Sequence, residues 1–238
     1  KDSSNRTQRM GTLQNELRGF SMTKTYDSGS LPFPERFSEK TFLEGAALYY
    51  SNPLHESAQY FEKIITEVFV DKAKVGIDIP NYPQFRDVNQ MFLELLEGAE
   101  KVKGGYMQTS VLSMRKEKTL IPEVLAIKKN SQKISETIGK PFNLRICVIG
   151  PHLLSSFFIY RNNETIAQLS NIISQIVENN IFTEKHATIS LVSLEEPLIG
   201  ILDDPLISYG SEGREKLLKS WETILNKAKA KGIQTSLH

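Results

Sequence analysis

The sequence predicts an α/β fold of the (β/α)8 barrel type, and three observations predict it. Short apolar runs alternate with amphipathic stretches of ten or more residues, the rhythm of βα units around a parallel sheet. One run, residues 144–149, reads as continuously apolar, as a strand covered on both faces must be. Glu195-Glu196 and His238 stand directly after two of the later runs, at the strand ends where a barrel assembles its site.

Taken in order, residues 1–22 are polar and without sustained period, and read as a mobile arm or a cloning remnant with room for a short helix near 13–17. Residues 23–238 are taken as a single barrel domain. Residues 25–30 read as a first strand, broken by Gly29 and the Pro32/Pro34 pair. Phe61, Ile64, Ile65, Val68 and Phe69 recur at helical spacing between Glu56 and Val75, and Gly76 ends that helix. A strand at 77–79 is stopped by Pro80, and a helix is predicted over 88–97. Residues 106–114 form a weak strand candidate, because their alternation is poor. Pro122 suits the first turn of a helix running toward Ile138 and closing at Gly139.

Beyond the 144–149 strand, a helix over 165–181 places Ile166, Leu169, Ile172, Ile173, Ile176 and Val177 on one face. A strand at 188–193 follows. A helix over 212–231 is predicted to bury Leu217, Leu218, Trp221, Ile224, Leu225 and Ala228, and the last strand begins at Ile233. That makes about six of the eight βα units of a complete barrel, which takes roughly 250 residues. The barrel is therefore expected to be incomplete in this chain.

Composition narrows the function classes. The formal net charge is +1, so no basic field argues for nucleic acid. No apolar stretch approaches the roughly 20 residues of a membrane-spanning helix, and no apolar leader opens the chain. The single cysteine, Cys147, excludes an internal disulfide and fits a reducing, cytoplasmic setting. Inside its apolar strand it reads as a small buried hydrophobe.

Five short motifs in register carry a resemblance. Gly29-Ser30-Leu31-Pro32 follows the first strand, Gly76-Ile77-Asp78 leads to Gln84, and Gly150-Pro151 follows the middle strand. Glu195-Glu196-Pro197 and His238 close the series. In order and strand placement these motifs resemble the catalytic barrel of the cobalamin-independent methionine synthases, in its short archaeal-type version. The barrel is shared with uroporphyrinogen decarboxylases.

The resemblance implies a (β/α)8 barrel that transfers a methyl group to the thiol of homocysteine held on zinc, from a methylated corrinoid protein or pterin. It implies that His238 is a zinc ligand and that Ser28, Gly29 and Ser30 receive the substrate carboxylate. Gln84 and Glu195 fall where the family has a Glu and an Asp for the substrate ammonium. Gln84 is neutral there, which removes one charge-assisted partner. His152, after Gly150-Pro151, is expected to line the mouth of the barrel. Two other readings stand beside this one: a metal-free uroporphyrinogen-decarboxylase-like lyase, and a non-catalytic barrel that serves as a binding subunit.

Overall fold

A computed structural model describes residues 23–116, 119–201 and 203–238; the expectations for residues 1–22 lie outside them. The architecture is mixed α/β, with five extended segments running parallel in the order in which they occur in the chain. Residues 25–30 pair with 77–84 through Tyr26–Ile79 and Ser30–Gln84, and Asn81 pairs with Arg145. Arg145 lies on β3 (Phe142–Ile149), which pairs with β4 (Ala187–Glu195), and β4 with β5 (Gln234–Leu237). Among the described residues no strand joins β5 back to the first segment, so a closed barrel is not formed by them.

The connections between these parallel segments are helical. Residues 25–30 lead into α1 (Glu39–Leu48) and α2 (Glu56–Lys74), and residues 77–84 into α3 (Val88–Leu93). Then come a hairpin of β1 (Leu96–Val102) and β2 (Gly105–Met114), followed by α4 (Pro122–Lys129) and α5 (Ser131–Ile138). After β3 come α6 (Pro151–Ser155) and α7 (Asn163–Asn180); after β4 come a 3-10 turn (Pro205–Ile207) and α8 (Glu212–Lys229).

Local chemistry explains the boundaries. Ser38, His55, Asp87, Asn162 and Ser211 each cap a helix by accepting a backbone N–H, which satisfies a donor the first turn leaves free. The core lies between the sheet and its helices. On α7, Ile166, Leu169, Ile172, Ile173, Ile176 and Val177 are all buried. On α8, Leu217, Ile224 and Ala228 are buried, but Leu218 is exposed. Each large aliphatic side chain so buried is worth about 1.5–3 kcal/mol.

Four expectations are corrected. The helix predicted over 88–97 ends at Leu93, because Leu96–Val102 pairs antiparallel with Gly105–Met114. The weak strand near 106–114 is thus half of a hairpin and not a unit of the parallel sheet. The helix from Pro122 to Ile138 is two helices, broken at Asn130, whose side-chain Nδ2 donates to the Ala126 carbonyl at 3.0 Å. The run 144–149 is not purely apolar: Arg145 sits within it, 3% exposed.

Candidate functional site at the strand ends

A charged side chain buried in a strand must find a partner, and Arg145 finds several. Its Nη2 donates to Glu195 Oε1 at 2.7 Å, and its Nη1 to the Asp27 backbone carbonyl. The ring of Tyr26 lies 5.0 Å from the guanidinium carbon. Ser193 Oγ donates to the same Glu195 oxygen at 2.7 Å. The other oxygen of Glu195, Oε2, faces His238 Nδ1 at 2.5 Å. A second ion pair continues the cluster. Lys72 Nζ, reaching up from α2, donates to Asp27 Oδ2 at 2.6 Å and to the Asn81 carbonyl at 3.1 Å. Asp27 Oδ1 accepts the Asn81 N–H at 2.7 Å. Burial lowers the Lys72 ammonium from its ordinary range, an effect that Asp27 opposes.

One polar cluster therefore spans all five parallel segments, through Asp27, Asn81, Arg145, Ser193 with Glu195, and His238. Arg145 and Lys72 are enclosed, whereas the His238 side chain is 76% exposed. Asn81 Oδ1, Gln84 Nε2, Arg145 Nε and Ser236 Oγ are buried there without a hydrogen-bond partner among the described residues.

Gly29 fits into this cluster for a steric reason. Its φ is +100°, and a Cβ there would sit 2.0 Å from Asn81 Nδ2 and 2.8 Å from Gln84 Oε1. Gln84 is itself buried and joined to the Gly29 segment by backbone hydrogen bonds in both directions, Gln84 N–H to the Gly29 carbonyl and Leu31 N–H to the Gln84 carbonyl. Ser28 and Ser30 are exposed on the same turn, and the Ser28 carbonyl accepts Asn81 Nδ2 at 3.1 Å.

A second, neighbouring cluster is closed. Glu196 is buried and its carboxylate accepts three N–H groups: His152 N at 3.0 Å, Leu153 N at 2.8 Å and Trp221 Nε1 at 3.0 Å. Gly150 permits this approach, since a Cβ there would lie 2.1 Å from Glu196 Cδ. Burial raises the Glu196 carboxyl above its ordinary range, and these hydrogen bonds oppose the rise. His152, expected to line the mouth, is 0% exposed; its Nε2 lies 2.8 Å from Asp204 Oδ2, which also pairs with Arg161 at 2.7 Å. For Asp204 burial alone would raise the carboxyl, but the bonds from His152 and the Leu206 amide, with the Arg161 charge, bring it below the usual carboxylate range.

Of the residues singled out from the sequence, the structure brings Gly29, Gln84, Glu195 and His238 to one cluster. Ser28 and Ser30 lie at its edge, and His152 lies in the other. Arg145, Asp27, Lys72 and Asn81 were missed. An arginine inside an aliphatic run was the available signal for the first of them. Arg86 makes a two-pronged salt bridge with Glu123, which is 1% exposed.

Among the described residues no group of three or more His, Cys, Asp or Glu side chains comes together as a metal site. Cys147 is buried within β3, and burial pushes its thiol up to about 12. His238 fits the part of a single ligand: a carboxylate stands behind Nδ1 and the ring is open to solvent, the arrangement common behind metal-bound imidazoles. No helix among the described residues is long and apolar enough to cross a membrane.

No protein-family model matches this sequence, and no curated protein does. Solved structures do match. A B12-independent methionine synthase from Shewanella sp. W3-18-1, in complex with selenomethionine, superposes with a TM-score of 0.56 at 14% identity, over 90% of this chain and 60% of its own. A putative vitamin-B12 independent methionine synthase from Listeria monocytogenes gives 0.56 at 16% identity, over 92% of this chain and 64% of its own. The likeness is one of fold. The chain spans less than two thirds of the length of either protein.

Proposed function

We propose that the five parallel segments are part of a (β/α)8 barrel, and that their carboxyl ends form the acceptor side of a thiol methyltransferase of the methionine synthase type. The observation that carries this reading is the placement of Glu195 and His238 side by side at the ends of adjacent parallel strands, in a fold shared with two methionine synthases. The acceptor is a homocysteine-like thiol, the donor a methyl-corrinoid or methyl-pterin. The thiol sulfur takes the methyl group as its bond to the donor breaks with the electron pair left on the donor; a corrinoid departs as Co(I) and the thiol proton is released, whereas a pterin nitrogen takes that proton up.

His238 would hold a zinc ion through Nε2, with the remaining ligands from outside the described residues. Zinc, when bound, supplies the Lewis acidity that keeps a thiol deprotonated at neutral pH. The chain's own residues orient the partners. Glu195 holds the imidazole, Arg145 and Ser193 hold Glu195, and the Ser28–Ser30 turn offers its hydroxyls and amides to an anionic end of the acceptor.

The test is methyl transfer to homocysteine by the intact, zinc-loaded protein, from methylcobalamin and separately from a methylated tetrahydropterin, followed as S-methyl product. Product that disappears in His238→Ala supports the proposal; no product under zinc-replete conditions refutes it. A non-catalytic binding role is the second reading. It is favoured by the mutual neutralisation of Arg145 with Glu195 and of Lys72 with Asp27, which leaves the cluster closed upon itself.

A further inference from the structure

We infer that Glu195 is a positioning carboxylate for His238 and fixes its tautomer. The inference rests on reading the strand ends as the functional site, but its test does not depend on methyl transfer. A carboxylate offers about four acceptor positions on two oxygens. Oε1 of Glu195 is taken by Arg145 Nη2 and Ser193 Oγ, each at 2.7 Å, and Oε2 faces His238 Nδ1 at 2.5 Å. Its charge is balanced by a guanidinium that is 3% exposed and therefore cannot leave for solvent. One position on Oε2 is left, on a carboxylate whose charge the Arg145 guanidinium already balances.

The same geometry assigns the proton. A carboxylate already accepting from Arg145 and Ser193 can only accept from His238, so Nδ1 carries hydrogen and Nε2 of the neutral ring carries the lone pair. The tautomer is set by what the other ring nitrogen bonds. Arg145 and Ser193 prevent Glu195 from rotating away. Three strands, β3, β4 and β5, thereby fix one basic nitrogen at the exposed end of the sheet.

The experiment is long-range ¹H–¹⁵N NMR of the metal-free protein at a pH where its histidines are neutral, with His238 assigned by comparison with His238→Gln. The wild type is expected to show a protonated Nδ1 and an unprotonated Nε2. Glu195→Ala should lower the ratio of the Nδ1–H to the Nε2–H form about tenfold, the equivalent of one charge-assisted hydrogen bond. Glu195→Gln keeps the size and one acceptor oxygen, and should fall between the two. A wild-type ring protonated mainly at Nε2 overturns the inference, as does a tautomer ratio unchanged in Glu195→Gln. If Glu195→Ala does not fold, Glu195→Gln alone decides. Loss of methyl transfer with the tautomer intact would count against the proposed reaction, not against this assignment.

Discussion

Replacing Glu196 with alanine removes one carboxylate and strands three donors. The His152 and Leu153 amides and the Trp221 indole N–H all point at it, at 2.8–3.0 Å. A buried donor left without a partner costs about 1–3 kcal/mol. His152 is fully enclosed, so its amide stands at the upper end. Leu153 and Trp221 are only half-buried, so water can reach them and they stand at the lower end. The desolvation that raises the Glu196 carboxyl is recovered in the variant and offsets part of the loss. The net expectation is a loss of about 3–5 kcal/mol, in the range of breaking a buried charged network. Urea unfolding followed by far-UV circular dichroism measures it, at unchanged slope. Trp221→Phe with Glu196→Ala should fall short of additive by about 1–2 kcal/mol, because both delete one contact. A loss below about 1 kcal/mol for Glu196→Ala, or full additivity, refutes the claim that this carboxylate joins β4, α6 and α8.

Other expectations follow from the same structure. Arg86→Met leaves Glu123 charged and 1% exposed, so it should cost about 3–5 kcal/mol, and the further change Glu123→Gln should recover most of that loss in the same unfolding assay. Cys147, 4% exposed and with its thiol pushed up to about 12, should resist iodoacetamide at pH 8 in the native state and react on unfolding; equal rates by mass spectrometry would contradict its placement. The pH dependence of stability has two limbs. Asp204 is held below its ordinary 3.8, so its contribution is lost as pH falls through its folded value. Glu196 is held above 4.5, so its contribution is lost as pH rises through its folded value. Denaturant melts across pH should lose the first limb in Asp204→Asn and the second in Glu196→Gln. Because the Arg145 guanidinium already balances the Glu195 charge, 4-mercaptobutyrate should compete as well as homocysteine for binding, measured by calorimetry; strong preference for homocysteine would contradict that.

The parallel sheet was legible because its signal is local. Residues 144–149 and 188–193 are short, rich in aliphatic side chains and bounded by Gly150 and by Glu195-Glu196-Pro197, and their helices keep a 3.6-residue period. The hairpin was not legible. Gly98, Gly104 and Gly105 fall in or beside strands whose exposed faces leave little alternation to read. Helix α1 went unread because Gly45 interrupts it; that glycine is required where a Cβ would meet the Ser57 carbonyl at 1.9 Å.

Glu195 and His238 could be found in the sequence because they follow apolar runs. Their partners could not. Arg145 is 50 residues from Glu195, and Lys72 is 45 from Asp27, and no local pattern encodes an ion pair across such spans. His152 shows the opposite failure: its position after a strand end was read correctly, but only the fold shows that Asp204 encloses it.

The proposed chemistry stands or falls most directly on metal stoichiometry. Zinc should be quantified in the intact protein, wild type and His238→Ala, after loading and removal of free metal. One zinc per chain is expected in the wild type and a substoichiometric amount in the variant. A wild type that cannot be loaded, or a variant that holds zinc equally well, would contradict it.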